Sequence, residues 1–236
     1  MEISKRNKTV AVILAGGIGS RMGGAITKQR MMLGTLTVLQ RTLRAFDTSQ
    51  LTDKVCVVCR PEEIDELRSQ AQKVTEKIVC FVNGGKNRAE SAKNGYMACA
   101  KFAETVVFHD ACRSLVTPQE IDNVIAEAIK SGAASAVVPI FDTVKTLDEN
   151  GNISGTVDRT GLRGASTPQA FSAPLYGRAL ESVSELCTVT DDNMLMEKIG
   201  MKVRAVEVSR ENIKITTPSD IRYAEFILSE RGELNV

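Results

Sequence analysis

The run Gly16-Gly17-Ile18-Gly19-Ser20-Arg21-Met22-Gly23-Gly24, with Lys28 close behind it, joins backbone freedom to two fixed cations. Glycines let the main chain come close to an anion so that successive N–H groups point at its oxygens, as loops that cradle phosphate do. A Walker-type loop needs G-K-[ST], and the dinucleotide fingerprint needs a glycine where Met22 stands, so neither fits. The alternative is an ordinary glycine-rich turn with solvated Arg21 and Lys28. A second loop, Asn83-Gly84-Gly85-Lys86-Asn87-Arg88-Ala89-Glu90-Ser91, opens a helix pattern, and a third, His109-Asp110-Ala111-Cys112-Arg113-Ser114, follows another apolar run. Asp110, just past that run, is suited to hold a divalent ion through a carboxylate oxygen while phosphates complete the shell. A helix-approach cap is its other reading.

Other candidates are weaker one by one. His109 is the single histidine, so a His-based metal cluster is excluded and a Ser-His-Asp triad would have to run through it. A packed residue at a strand end is the expectation for it. Asn212-Ile213-Lys214-Ile215-Thr216-Thr217 sets a lysine in a β-like run, costly to bury unless an anion is near, with edge exposure as the alternative. Arg159, in Val157-Asp158-Arg159-Thr160-Gly161, is either functional or the partner of Asp158 or another carboxylate in a turn salt bridge. Cys56-Val57-Val58-Cys59 spells C-x-x-C, but a three-residue offset in a strand sends the two side chains to opposite faces, which suits buried small residues better than a metal.

The elements that must position these residues are legible as well. Apolar runs at 10–15, 55–59, 78–82, 105–109 and 136–140 are short and rich in β-branched residues, as expected of strands buried on both faces of a parallel sheet. Between them, Val38, Leu39, Thr42, Leu43 and Phe46 recur at helical spacing, as do Ile64, Leu67 and Ala71 after Pro61. Thr117-Pro118-Gln119-Glu120 and Thr217-Pro218-Ser219-Asp220 are helix starts with an N-cap, a first-position proline and an acid for the capping box. The expected architecture is a doubly wound α/β sheet whose three loops follow strand carboxyl ends, where open sheets bind ligands. From 142 to 157, alternation on both sides of Asn150-Gly151 reads as a hairpin with no place in that sheet. A lone ribbon is marginal in water, so an arm at about 141–166 is expected to pack on another subunit.

Composition sets the outer limits. The chain has 236 residues, which suits one α/β domain over 1–236 and excludes several. Thirty Lys and Arg against 29 Asp and Glu leave a net charge of +1, no polybasic field for nucleic acid and no acidic tail. Residues 1–8 are polar, and the run at 10–15 is too short for a membrane span or a signal segment, so a cytoplasmic protein without a membrane partner is expected. Six scattered cysteines do not form the dense framework of a disulfide-stapled secreted domain.

Taken in order, Gly16-Gly17-x-Gly19-x-Arg21-Met22 with Lys28-Gln29, Gly84-Gly85-x-x-Arg88-x-x-Ser91, His109-Asp110-Ala111-x-Arg113, Asp142-Thr143-Val144-Lys145, Thr167-Pro168-Gln169 and Asn212-Ile213-Lys214-Ile215-Thr216 resemble the 2-C-methyl-D-erythritol 4-phosphate cytidylyltransferases over residues 9–228. The ribitol-5-phosphate cytidylyltransferases share most of these motifs, while the stretch from Val157 to Gln169 is more similar to the methylerythritol group. The resemblance implies a Rossmann-like nucleotidyltransferase fold and an enzyme that joins CTP to a polyol phosphate with release of pyrophosphate, using Mg²⁺, in a homodimer whose arms cross. It implies that Ala15, Gly16, Gly17, Gly19, Gly84, Gly85, Arg88 and Ser91 hold the nucleotide and that Arg21 and Lys28 stabilise charge on the triphosphate. Arg159 and Lys214 would position the acceptor phosphate, with Thr143 and Arg159 supplied by the partner's arm, and Asp110 would stand by the metal and the reacting phosphorus. Three departures stand out: Thr27 where the family usually has proline, which is expected to loosen the loop before Lys28; Cys112 and Ser114 around Arg113; and Lys86 beside the glycines. A nucleotide-binding module without turnover, or a transferase using another nucleotide or sugar phosphate, are the competing functions.

Overall fold

The structure, a computed structural model, describes residues 8–17 and 27–235. Among the described residues the order is β1 (Thr9–Leu14), β2 (Met32–Leu33), β3 (Leu36–Thr37), α1 (Val38–Thr48), β4 (Lys54–Cys59), α2 (Ile64–Ala71), β5 (Ile78–Asn83), α3 (Arg88–Cys99), β6 (Thr105–Asp110), α4 (Pro118–Ser131), β7 (Ala133–Pro139), β8 (Lys145–Leu147), β9 (Ile153–Thr156), β10 (Arg163–Ser172), α5 (Ala173–Glu181), α6 (Asn193–Lys198), β11 (Arg204–Glu207) and α7 (Pro218–Glu230). Seven strands form the central sheet in the order β11-β7-β10-β6-β1-β4-β5. All neighbours run parallel except β10, which is antiparallel to both β6 and β7.

The winding on both faces follows from the period of two in the strands. Ala11 and Ile13 of β1 and Val55 and Val57 of β4 join Leu39, Leu43 and Phe46 of α1 and Ile121, Val124 and Ile125 of α4 in one core. Val10, Val12, Cys56 and Val58, one residue out of step, pack against Ala92, Tyr96 and Cys99 of α3 and Tyr176 of α5 on the opposite face. Cys56 and Cys59 therefore do point to different cores, as the strand geometry requires. Helix α3 lies unusually close to the sheet at Gly95, where a Cβ would stand 2.3 Å from Val12 Cγ1. That close approach carries the amino end of α3, with Asn87, Arg88 and Ser91, over the carboxyl edge of the strands.

Helix starts match their sequence signals. Thr117 and Glu120 form a reciprocal capping box, as do Thr217 and Asp220. Strand β5 is only half-buried, because it is the outer strand of the sheet, and β7 begins three residues before the apolar run that marks it. One expectation fails: residues 212–217 form no strand. Strand β11 already closes that side of the sheet, and the segment's one ladder-like bond is Ile215 N–H to Cys112 C=O (2.8 Å). The ribbon is present as β8 paired antiparallel with β9 in a sheet of its own, its turn held by the Asp148 carboxylate accepting from the N–H groups of Asn150 and Asn152. No helix among the described residues is long and apolar enough to cross a membrane.

Candidate active site

Strands β4 and β5 extend the sheet on one side of β1, and the chain then returns to add β6 on the other. Such a reversal opens a crevice at the carboxyl edge, and this one is lined by all three loops. A cavity of about 400 Å³ lies between Leu14, Ala15, Gly16 and Gly17 after β1, Gly85 to Arg88 and Ser91 at the start of α3, Asp110 and Cys112 after β6, and Lys28 and Lys214. A smaller one, of about 240 Å³, adjoins it and shares Arg88, Asp110 and Lys214, adding Arg113, Ser166, Thr167, Gln169, Thr190 and Asp191. A Cβ on Gly16 or Gly17 would meet nothing within 4 Å among the described residues, so this backbone is bare toward the cavity it lines. Gly85 is different: a Cβ there would lie 2.3 Å from Glu90 Cβ, and only its absence lets the loop fold back, with Gly85 N–H on Ser91 Oγ (3.0 Å) and Lys86 N–H on Glu90 Oε2 (2.8 Å).

Asp110 joins the two cavities. Its carboxylate meets Lys214 Nζ at 2.8 Å, Arg88 Nε at 3.4 Å and Arg113 Nε at 4.0 Å. Burial would raise this carboxyl, but Arg88, Lys214 and Arg113 outweigh it and hold it at about 2, so it is a carboxylate at any working pH. Arg88 also gives Nη1 to Asp192 (2.7 Å), which accepts from the Tyr176 hydroxyl (2.7 Å) and donates its N–H to Gln169 (3.0 Å). Buried Nη2 of Arg88 has no hydrogen-bond partner among the described residues, an orphan that a ligand oxygen in the crevice would satisfy. Lys214 reaches the site because its segment is tied down on both sides: Asn212 accepts from Arg113 Nη1 at its C=O (2.8 Å) and gives Nδ2 to Thr167 C=O (2.9 Å), and Ile215 N–H bonds Cys112 C=O (2.8 Å). The anion expected beside this lysine is thus Asp110.

His109 is fully buried and works as scaffold, as its position at a strand end suggests. Arg113 C=O can only accept, so Nε2 carries the proton (3.2 Å), and Nδ1 accepts from Thr167 Oγ1 (3.0 Å), which itself accepts from Asp110 N–H (3.2 Å). Burial lowers the imidazole to about 4. An unfolded chain therefore takes up a proton below pH about 6.5 that the fold refuses until about 4, and stability falls as pH drops through that window. The expected loss is about 3 kcal/mol. Urea titrations between pH 7 and 4 check it, and His109→Gln is expected to flatten the slope. Cys112, raised to about 11 by burial and then by Asp110, stays a thiol and offers no nucleophile.

The crevice thus gathers Ala15, Gly16, Gly17, Lys28, Gly85, Arg88, Ser91, Asp110 and Lys214, with Gly84 one residue from its wall. Gly19 and Arg21 lie outside the described residues. Thr143 and Arg159 are exposed around the hairpin and line neither cavity of their own chain; no turn salt bridge joins Arg159 to Asp158, whose carboxylate instead accepts from Thr160. Thr27, where looseness was expected, sits at a proline-like φ −70° with ψ 150°, and its hydroxyl is bonded to Glu63 (2.5 Å). Thr190, Asp191 and Asp192 belong to none of the motifs read from the sequence. The polar string Thr190-Asp191-Asp192-Asn193 before α6 was the available signal.

An open, mostly parallel sheet that sets bare backbone and five cations against two carboxylates around paired cavities defines an α/β protein built to hold polyanions such as nucleotides. The family model described as IspD, 2-C-methyl-D-erythritol 4-phosphate cytidylyltransferase, matches residues 9–230, and the chain belongs to that family. It is 38% identical over 231 residues to the 2-C-methyl-D-erythritol 4-phosphate cytidylyltransferase of Syntrophus aciditrophicus, covering 96% of this chain and 99% of that protein. Its counterpart in Nostoc punctiforme is 38% identical over 224 residues, covering 94% and 98%. Among solved structures, the 4-diphosphocytidyl-2C-methyl-D-erythritol synthase of Anaerococcus prevotii superposes with a TM-score of 0.82 at 28% identity, covering 94% of this chain and 96% of that one. The Thermus thermophilus 2-C-methyl-D-erythritol 4-phosphate cytidylyltransferase gives 0.76 at 27%, covering 94% and 99%.

Proposed function

We propose that this protein transfers the cytidylyl group of CTP to the phosphate of 2-C-methyl-D-erythritol 4-phosphate, giving the CDP-polyol and pyrophosphate. The observation that carries this reading is the pair of adjoining cavities sharing Arg88, Asp110 and Lys214, one sized for a nucleotide and the other for a small polyol phosphate. A phosphate oxygen of the acceptor attacks the α-phosphorus, the bond from that phosphorus to the β-phosphate oxygen breaks, and pyrophosphate leaves with the electron pair. The nucleophile is already ionised near neutral pH, so no general base is needed. Repulsion is the obstacle: two unit charges about 4 Å apart at an effective dielectric near 20 cost about 4 kcal/mol, and several such pairs meet here. Lys28, Arg88, Arg113 and Lys214, with Arg21 by motif, supply fixed positive charge against it, so catalysis is positioning plus electrostatics.

Ala15, Gly16, Gly17, Gly19, Gly84, Gly85 and Ser91 are assigned to the nucleotide, and Lys214, with Thr143 and Arg159 from a partner's hairpin, to the acceptor. Mg²⁺ is assigned to Asp110, whose permanently ionised, hard oxygen donor fits an ion usually held by one or two carboxylates plus substrate phosphates. When bound it would neutralise phosphate charge. We assign the chain to a homodimer of single-domain subunits joined through the hairpin, in the cytoplasm.

Pyrophosphate release with CTP, Mg²⁺ and methylerythritol phosphate tests the reading. Ribitol 5-phosphate as acceptor, and the other three nucleoside triphosphates as donors, are the comparison arms. Silence with every pair, or a clear preference for another one, overturns it. The pH profile gives a second check. His109 at about 4, Asp110 at about 2 and Cys112 at about 11 leave these protein groups untitrated across neutrality. The acid limb of kcat/KM is therefore expected near pH 6, the second pKa of a phosphate monoester, and is expected to move upward when the acceptor is replaced by its more basic phosphonate.

A further inference from the structure

We propose that Glu63 is a positioning residue for Lys28, holding that lysine in the crevice by gripping the residues on either side of it. This rests on the function proposed above. Glu63 ends the 3₁₀ turn Pro61–Glu63 immediately before α2, on the connection that follows β4, and is 3% exposed. Its Oε1 accepts from Thr27 Oγ1 (2.5 Å) and its Oε2 from Gln29 Nε2 (3.0 Å). Arg60 Nε, at 3.1 Å from Oε2, completes the set. Both neighbours of Lys28 are thus bound to one buried carboxylate 34 and 36 residues away in the chain.

Lys28 needs such an anchor. It opens a three-residue 3₁₀ turn, Lys28–Arg30, whose cap makes no side-chain hydrogen bond within the turn itself. A turn so short has little stability of its own. Yet Lys28 is only 8% exposed and lines the larger cavity together with Gly16, Gly17, Asp110 and Lys214. Where proline would fix φ through its ring, Thr27 already has φ −70° and is fixed through its hydroxyl. Burial would raise the Glu63 carboxyl, but the bonds from Arg60, Thr27 and Gln29 prevail and keep it below the usual range. It therefore serves as an ionised acceptor at every pH of interest. A cation that must meet developing charge works only when placed in advance, and a small displacement costs rate rather than affinity.

The test compares wild type with Glu63→Gln, Thr27→Val and the double variant. Two readouts are used: steady-state pyrophosphate release, and the rate at which an amine-acylating reagent labels Lys28, followed by peptide mass spectrometry. In Glu63→Gln, kcat is expected to fall at least about tenfold with KM for the acceptor within about twofold. Lys28 is expected to label at least about threefold faster, while Lys130 and Lys198, remote on α4 and α6, label as in wild type. Thr27→Val, which removes the hydroxyl and only one of the two grips, is expected to show a smaller change of the same kind, and the losses in the double variant to be less than additive, since Thr27 acts through its bond to Glu63. Thr27→Val also carries the test if Glu63→Gln does not fold. Unchanged labelling and kcat in the variants, faster labelling at all lysines together, or fully additive losses would each overturn the proposal. A wild-type protein that turns over no nucleotide and acceptor pair would overturn the proposed function instead, and the labelling comparison would still decide the role of Glu63.

Discussion

Lys28→Ala is expected to lower kcat/KM for pyrophosphate release at least about a hundredfold, and Lys214→Ala about ten- to thirtyfold. Both lysines line the same cavity, and the difference follows from their surroundings. A unit charge about 4 Å from a phosphate oxygen is worth about 4 kcal/mol at an effective dielectric near 20 and about 1 kcal/mol in water. Lys28 is 8% exposed and acts near the first limit. The Lys214 side chain is 45% exposed, so solvent and salt screen it toward the second. Losing Lys214 also leaves Asp110 with Arg88 and Arg113, so the carboxylate stays paired and the fold is expected to hold. Steady-state kinetics at two salt concentrations check both points: wild-type kinetics in Lys28→Ala would remove it from the mechanism, and the Lys214 effect is expected to shrink further as salt rises.

The sequence showed the inner part of this architecture more clearly than its outer part. Strands β1, β4 and β6 are apolar at consecutive positions because both faces are covered, and Thr117 and Thr217 announce their helices through capping chemistry that is local by nature. Strand β10 escaped because its residues, Arg163-Gly164-Ala165-Ser166-Thr167-Pro168-Gln169, are small and polar, with a proline where a central strand should have none. The register with β7 slips between Ala165 and Gln169, which makes room for that proline and turns Thr167 and Gln169 toward the site network. Strand β11 and helix α6, with four and six residues, are too short for a period to show. At the site, the glycines and Asp110 were legible as types suited to phosphate and metal. Their partners were not: the Arg88–Asp192 and Lys214–Asp110 pairs each span 104 residues, and only the folded sheet brings them together. Glu63 was invisible for the same reason, since nothing near residue 27 signals a buried acid 36 positions on.

Mixing inactive Arg159→Ala protein with inactive Lys28→Ala protein is expected to restore up to about a quarter of wild-type activity once subunits exchange. Within one chain, Arg159 is exposed beside the hairpin and lines neither cavity, whereas Lys28 lines the larger one. The ribbon also exposes apolar side chains that a solvated turn has no reason to present: Leu147 at 62% and Ile153 at 67%. Two strands of three and four residues cannot bury them alone. If the hairpin of each subunit serves the crevice of its partner, a hybrid dimer combines one site lacking both residues with one site that has both. Random exchange makes half the dimers hybrid, and half of their sites are competent. If instead each site takes Lys28 and Arg159 from one chain, every site in the hybrid lacks one of them and no activity returns. Activity measured against mixing ratio, with exchange verified by differently tagged subunits, separates the two arrangements. Leu147→Asp in the Lys28→Ala partner is expected to abolish the recovery by keeping the ribbon from docking, since a carboxylate placed in an apolar interface must be desolvated without a partner.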